Sequence, residues 1–256
     1  MRILAVGDVV GESGLKKLTE ILPELKKKEK IDFVIVNGEN VAGGMGITLS
    51  HFNKIIDAGV NVVTMGNHTW AKKDIFNFID NEMLIRPANY PVGVPGKGYN
   101  IFKCNKKSIA VINLIGRTNM GILSENPFIE ANKIIEKISK ISDIIIIDFH
   151  AEATAEKIAL ANYLDGKANI IFGTHTHVQT ADEQILPDGT AYISDIGMTG
   201  PLHSVIGMDK KASIKRFLTT LPEKYKIAEG NCKFNSCLFE INDEDCRIKE
   251  IKRINY

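Results

Sequence analysis

The 256-residue chain has no apolar run of transmembrane length; the longest are short stretches such as Ile144–Ile147, which argues against a helical membrane anchor. Charge of one sign is also missing. Lys+Arg 32 against Asp+Glu 31 leave a formal charge of +1, so there is no global pull toward nucleic acid or an acidic membrane. The cluster Lys26-Lys27-Lys28-Glu29-Lys30 reads as a solvated helix C-terminus, where cations favour the dipole. Four cysteines (Cys104, Cys232, Cys237, Cys246) form no C-x-x-C pair and have no histidine placed to complete a zinc knuckle, so reduced structural thiols are expected. Linkers rich in Gly, Pro or Ser, internal repeats and low-complexity tracts are absent, which predicts one domain over residues 1–256. The first residues place Asp8 where a signal peptide would continue its apolar core. They read as a strand, and the expected compartment is the cytoplasm.

What is present is the balance of a folded globular chain, 44% hydrophobic and 25% charged. Strand-like runs fall at Ile3–Val6, Phe33–Val36, Val60–Met65, Ser108–Leu114, Ile144–Phe149, Asn169–Phe172 and Ala191–Ser194. Several are apolar without alternation, as expected of strands buried on both faces. Helical spacing marks Ser13–Lys28, with Ser13 as its cap, and Thr48–Ala58, Lys72–Asn81, Asn126–Lys140, Thr154–Leu164 and Asp209–Leu221. Lys233–Ile241 and Arg247–Ile254 flank a turn and read as a hairpin. The repeated strand–helix order predicts an α/β fold.

Strand after strand ends in a side chain able to bind metal: Asp8, Glu39-Asn40, Asn67-His68, His150 and His175-Thr176-His177. In open α/β sheets the carboxyl ends of strands form the ligand-binding edge, so distant residues converge there. Glycine precedes most of them (Gly7, Gly38, Gly66, Gly173), which permits a sharp turn and close approach. Each piece alone has a bland reading, a turn carboxylate, a helix cap or a core histidine; the combination points to metal. Carboxylate, amide and imidazole donors without thiolate suit Fe, Mn, Zn or Co. The donors are too many for one four-coordinate zinc and enough for two ions sharing a carboxylate. Such ions, roughly 3.5–4 Å apart, clamp both oxygens of an in-line phosphoryl transfer. There is no P-loop and no nucleophile elbow.

The order Asp8, Gly38-Glu39-Asn40, Gly66-Asn67-His68, His150, Gly173-Thr174-His175-Thr176-His177 resembles the calcineurin-like metallophosphoesterase superfamily. More narrowly it resembles the bacterial YmdB-type branch, whose members hydrolyse phosphodiesters such as 2′,3′-cyclic nucleotides. Asn37–Gly44 and Asp195–Pro201 carry the resemblance furthest. It implies two mixed β-sheets packed face to face with helices on the outer faces, a four-layer sandwich. It also implies two divalent or trivalent ions, iron or manganese before zinc. Glu39 would bridge them, with Asp8, Asn40 and His177 on one and Asn67, His150 and His175 on the other. A hydroxide activated by the metals would attack, and His68 would protonate the leaving oxygen as general acid.

Two positions depart from the superfamily: Val10 stands where Asp-x-His has histidine, and Thr69 follows His68 where an acid usually orients the imidazole. Asn40 is the expected substitute ligand. Arg117 is a candidate substrate contact, and Ala42–Gly46 reads as a flexible rim loop. His51 is assigned to packing or solvent; His203 could reach substrate, though its spacing does not demand it; Trp70 is assigned to core packing, with shaping the pocket or stacking a base as the alternative. The expected partner is a small phosphodiester or nucleotide, with short RNA and a homo-oligomer left open and no membrane. A phosphomonoesterase (nucleotidase or phosphoprotein phosphatase) and a metal-binding regulatory module are the rival readings.

Overall fold

The computed structural model describes residues 1–224 and 226–256. Two six-stranded sheets form its centre. The first runs β15 (Ile248–Asn255), β14 (Asn235–Ile241), β1 (Arg2–Val6), β3 (Phe33–Asn37), β4 (Val62–Thr64) and β5 (Leu84–Ile85). Its strands β1, β3, β4 and β5 are mutually parallel, while β14 and β15 form the expected antiparallel hairpin. The second runs β10 (Gln184–Ile185), β11 (Ala191–Ile193), β9 (Ile170–Thr174), β8 (Ile144–His150), β7 (Lys107–Ile115) and β6 (Tyr99–Cys104). A small third sheet joins β2 (Asp8–Val9), β12 (Met198–Pro201) and β13 (Cys232–Lys233).

Alternation along the strands builds the layers. Ile3, Ala5, Phe33 and Ile35 of the first sheet meet Ile109, Val111, Ile144 and Ile146 of the second between the sheets. Leu4, Val6, Val34 and Val36 face outward onto α1 (Gly11–Lys28) and α2 (Leu49–Asp57) through Leu15, Leu18, Phe52 and Ile55. On the far side Ile112, Ile145 and Ile147 pack under α3 (Pro127–Ile138) and α4 (Thr154–Tyr163) through Ile134, Ile135 and Leu160. Both faces of each central strand are therefore buried. Burying each such aliphatic side chain contributes about 1.5–3 kcal/mol. The result is the four-layer sandwich of two mixed sheets with outer helices. Among the described residues no helix is long and apolar enough to cross a membrane.

Two expectations need correction. α1 starts at Gly11 with Val10 at its cap position, so Ser13 lies in the first turn and its hydroxyl is buried without a partner. The start is displaced because the Gly11 N–H is drawn to the carbonyl of Asn40 (3.0 Å). Lys72–Asn81 forms only a 3-10 turn at Lys73–Asn77, which already buries Ile75 before the chain turns back toward β5. Ala42–Gly46 folds as a hydrogen-bonded turn, with Ala42 N–H donating to Gly46 O (2.9 Å) and Gly44 N–H to Asn40 O (3.1 Å).

Candidate metal centre

Parallel strands β1, β3 and β4 of one sheet and β8 and β9 of the other end at a common rim. There Asp8, Glu39, Asn40 and His150 are almost wholly buried, while Asn67, His68, His175 and His177 are half-buried. Glycine serves close approach: a Cβ on Gly66 would stand against the His150 ring and Glu39 Oε2, and one on Gly173 against the Ser194 carbonyl. Neither has the left-handed backbone expected of a sharp turn. His175 (φ 99) and His177 (φ 65) carry it instead, at a cost the surrounding structure must offset.

Asp195 supplies that support. Its Oδ2 accepts from Thr176 N–H (3.1 Å) and Thr176 Oγ1 (2.8 Å), and its Oδ1 from Gly197 N–H (2.8 Å). Lys157, 2% exposed, completes a buried ion pair with Asp195 (2.8 Å) and donates to the Thr174 carbonyl (2.9 Å).

The polar atoms fall into two groups with Glu39 between them. In one, Asn40 Nδ2 lies 3.3 Å from Asp8 Oδ1 and 3.1 Å from His177 Nε2. In the other, His150 Nε2 lies 2.8 Å from Asn67 Oδ1 and 3.0 Å from His175 Nδ1. Glu39 Oε1 is 3.1 Å from His150 Nε2 and 3.3 Å from Asn40 Nδ2. Donor atoms of Glu39, His150 and His175 all lie within 4.8 Å of one another.

Each of the three histidines gives its other nitrogen to an acceptor. His150 Nδ1–H donates to Thr174 Oγ1 (2.9 Å), whose own proton goes to Asp148 Oδ1 (2.7 Å). His175 Nε2–H faces Glu152 (3.1 Å), and His177 Nδ1–H donates to the Ile206 carbonyl (2.9 Å). These bonds select the tautomers that turn a lone pair inward from all three rings, the arrangement that presents imidazole to a metal. Two ring nitrogens facing each other at 3.0 Å require a cation or a proton between them. The residues therefore fit metal ions.

Proton affinities follow from the same crowding. Burial alone would lower His150, but the charge of Glu39 and its hydrogen bond, with Asp8 and Asp148, push it up to about 9. Burial together with His150 drives His175 down to about 3. Burial would raise Glu39, yet His150 and His68 outweigh it and hold that carboxyl well below its ordinary value. Burial raises Asp8, and pushes Asp148 up to about 6. In the absence of metal, a proton on His150 occupies the place of a cation.

A pocket of about 200 Å³ opens over the cluster, where Glu152, Thr176 and Ile206 join the site side chains. His68 lines it, with Nδ1 2.8 Å from Asn40 Oδ1 and 3.3 Å from Glu39 Oε1. Asn40 and Glu39 thus orient the imidazole in place of the missing acid. Thr69 instead donates to the Gly66 carbonyl (2.6 Å). Val10 is buried, with its side chain against the Gly207 backbone. Arg117 is not brought to the pocket: it is exposed, its N–H donates to Glu156 (3.0 Å), and it lines a separate depression with Asn126 and Phe128. The chain leaves β7 at Ile115 and turns over the start of α4, which carries it away from the cluster. His51 bonds Glu12 (2.7 Å), His203 is exposed, and Trp70 stacks on Phe76 at 5.6 Å.

Sequence reasoning missed Asp148, Thr174, Asp195, Lys157, Glu152 and Ile206 as parts of the site. Asp148 had a signal, an acid inside a strand buried on both faces; Asp195 lay in a segment already set apart. Thr174 lay inside the quoted motif Gly173–His177; Lys157, Glu152 and Ile206 had no such signal.

A family model described as YmdB-like protein matches residues 4–254. The chain belongs to the YmdB-like family. It is 51% identical over 255 residues to the 2′,3′-cyclic-nucleotide 2′-phosphodiesterase of Bacillus subtilis, covering 99% of this chain and 96% of that protein. A crystal structure from Thermus thermophilus, titled a hypothetical protein, aligns with TM-score 0.95 at 38% identity over 100% of this chain and 99% of that one. One titled a novel phosphatase, from Mycoplasma pneumoniae, aligns with TM-score 0.95 at 37% identity over 100% and 93%. The NAD nucleotidase of Haemophilus influenzae, at TM-score 0.62 and 15% identity over 99% and 55%, shares the fold alone. Membership of this metallophosphoesterase family implies divalent metal ions, for which Glu39, His150 and His175 form a candidate site.

Proposed function

We propose that the chain is a dinuclear metal-dependent phosphodiesterase acting on 2′,3′-cyclic nucleotides or related small phosphodiesters, with His68 as general acid. The observation that carries this is the set of three inward lone pairs, with a buried carboxylate between two groups of donors. Asp8, Asn40 and His177 would hold one ion, and Asn67, His150 and His175 the other, with Glu39 shared between them. When bound, iron or manganese (or zinc) on this donor set would polarise phosphoryl oxygens and acidify water. The chain's own groups do the rest. Asn40 and Glu39 engage His68 Nδ1, which leaves Nε2 to carry the proton for the departing alkoxide. The half-buried ring lines the pocket over the cluster, where a phosphate would sit.

The test is hydrolysis of 2′,3′-cyclic AMP with added Mn²⁺, products separated by chromatography. Turnover should vanish in Glu39→Gln. His68→Ala should lower kcat by ~10²–10⁴-fold. It should lose far less on bis-p-nitrophenyl phosphate, whose leaving group needs no proton. An equal loss on both substrates would remove His68 from the acid role. The phosphatase title of the Mycoplasma pneumoniae relative favours a monoesterase as the second reading. Relative turnover of bis- and mono-p-nitrophenyl phosphate separates the two.

A further inference from the structure

Seven of the eight residues that line the pocket over the cluster carry polar side chains. Among the described residues that line it, Ile206 is the single aliphatic side chain, and it stands 48% exposed. Its backbone is unusual for its type. Ile206 (φ 46) and Gly207 (φ 98) are the central residues of a tight turn closed by mutual 2.9 Å bonds between Val205 and Met208. Two positive φ angles in succession are a pattern ordinarily filled by Asn-Gly. A β-branched residue there is strained, because its Cβ crowds the following carbonyl.

Gly207 has a packing reason to be what it is, since a Cβ would press on Val10. The Ile206 carbonyl bonds His177 Nδ1, but any residue would supply a carbonyl. What an aliphatic side chain adds beyond the carbonyl is exposed apolar surface at the pocket. The turn is also pinned, with Ser204 Oγ accepting from Gly207 N–H (2.9 Å) and Gly207 O accepting from Ala228 N–H (3.0 Å). The surface is therefore ordered before any ligand arrives, which lowers the cost of binding. Its bond to His177 fixes its place relative to the cluster.

We infer that Ile206 is the platform for the apolar part of the substrate, the face of a nucleobase, and that it sets preference for nucleoside over base-free phosphodiesters. The inference rests on the phosphodiesterase reading above: with phosphate over the cluster, the base is the substrate's one apolar face, and bases pack against apolar side chains.

The test compares 2′,3′-cyclic AMP with glycerol 1,2-cyclic phosphate, which has the same cyclic ester and no base. Ile206→Gly keeps the carbonyl and relieves the backbone. It should raise KM for the nucleotide about tenfold more than KM for the glycerol ester, the usual scale for loss of a small apolar contact, with kcat moved less than KM. Ile206→Leu should restore most of the difference, and Ile206→Asn, suited to the turn but polar, should not. Bound metal and the thermal midpoint are measured alongside. Equal KM changes on both substrates, or metal loss that accounts for the change, would assign Ile206 to holding His177 and overturn the inference. Failure of the parent protein to cleave either ester would overturn the phosphodiesterase reading instead.

Discussion

At the scale of the residue, the candidate centre depends on side chains that never face the pocket. Thr174 is the clearest: one hydroxyl accepts from His150 and donates to Asp148, and so decides which nitrogen of His150 carries a proton. Thr174→Val keeps the shape and removes that bond. Metal affinity, read by competition with a chelator, should fall about 10–100-fold, as for other outer-shell partners of metal-binding histidines, while Thr174→Ser should retain it. The His150 shift adds a pH dependence. With its pKa raised to about 9, the metal-free ring is protonated at neutral pH and must release that proton when metal binds. Affinity should therefore rise about tenfold per pH unit from 7 and level off above 9. Calorimetry in buffers of different ionisation enthalpy should show about one proton released per chain at pH 7. The sign for folding is opposite: a raised histidine stabilises the metal-free fold below its ordinary pKa, and that contribution is lost as pH climbs through about 9.

Among the elements, the loop after β9 carries the most stress, with two histidines in left-handed backbone. It is held by the Lys157–Asp195 pair, which joins the middle of α4 to the segment after β11. Lys157→Met would leave Asp195 buried without its counter-charge, a change that costs about 3–5 kcal/mol. Urea unfolding should show the loss, and the double variant Lys157→Met/Asp195→Asn should recover part of it. A single variant as stable as the parent would show that the pair does not anchor the loop. Most of the longer elements were legible because apolar spacing extends over whole helices and strands; β6, six residues at a sheet edge, was not, because it is only half-buried and lacks a continuous apolar run. β2, β5, β10 and β13 are two residues long, and a two-residue strand has no period to read.

For the whole molecule, the two sheets meet at the rim through charge as well as through aliphatic packing. Asp8 and Glu39 come from the first sheet's side, and Asp148 and His150 from the second. Ions bound between them should cross-link the sheets. At free metal 100-fold above Kd the folded state gains about 2.7 kcal/mol, which for a chain of this size corresponds to a midpoint roughly 5–10 °C higher. Chelation should remove that increment from the parent protein in calorimetry and leave Glu39→Gln unmoved.

The sequence by itself determined the strand–helix order and the polar positions at the strand ends. Doubly buried strands need continuous apolar runs, and a carboxylate or imidazole at the end of such a run stands out against them. Only the tertiary structure decided how those groups are tuned. Asn37 and Asp148, a bonded pair, are 111 residues apart, Lys157 and Asp195 are 38 apart, and the tautomer of each histidine rests on an acceptor from another segment. Hydrogen bonds of this kind act through direction and distance in space, and no local pattern of residue types encodes them.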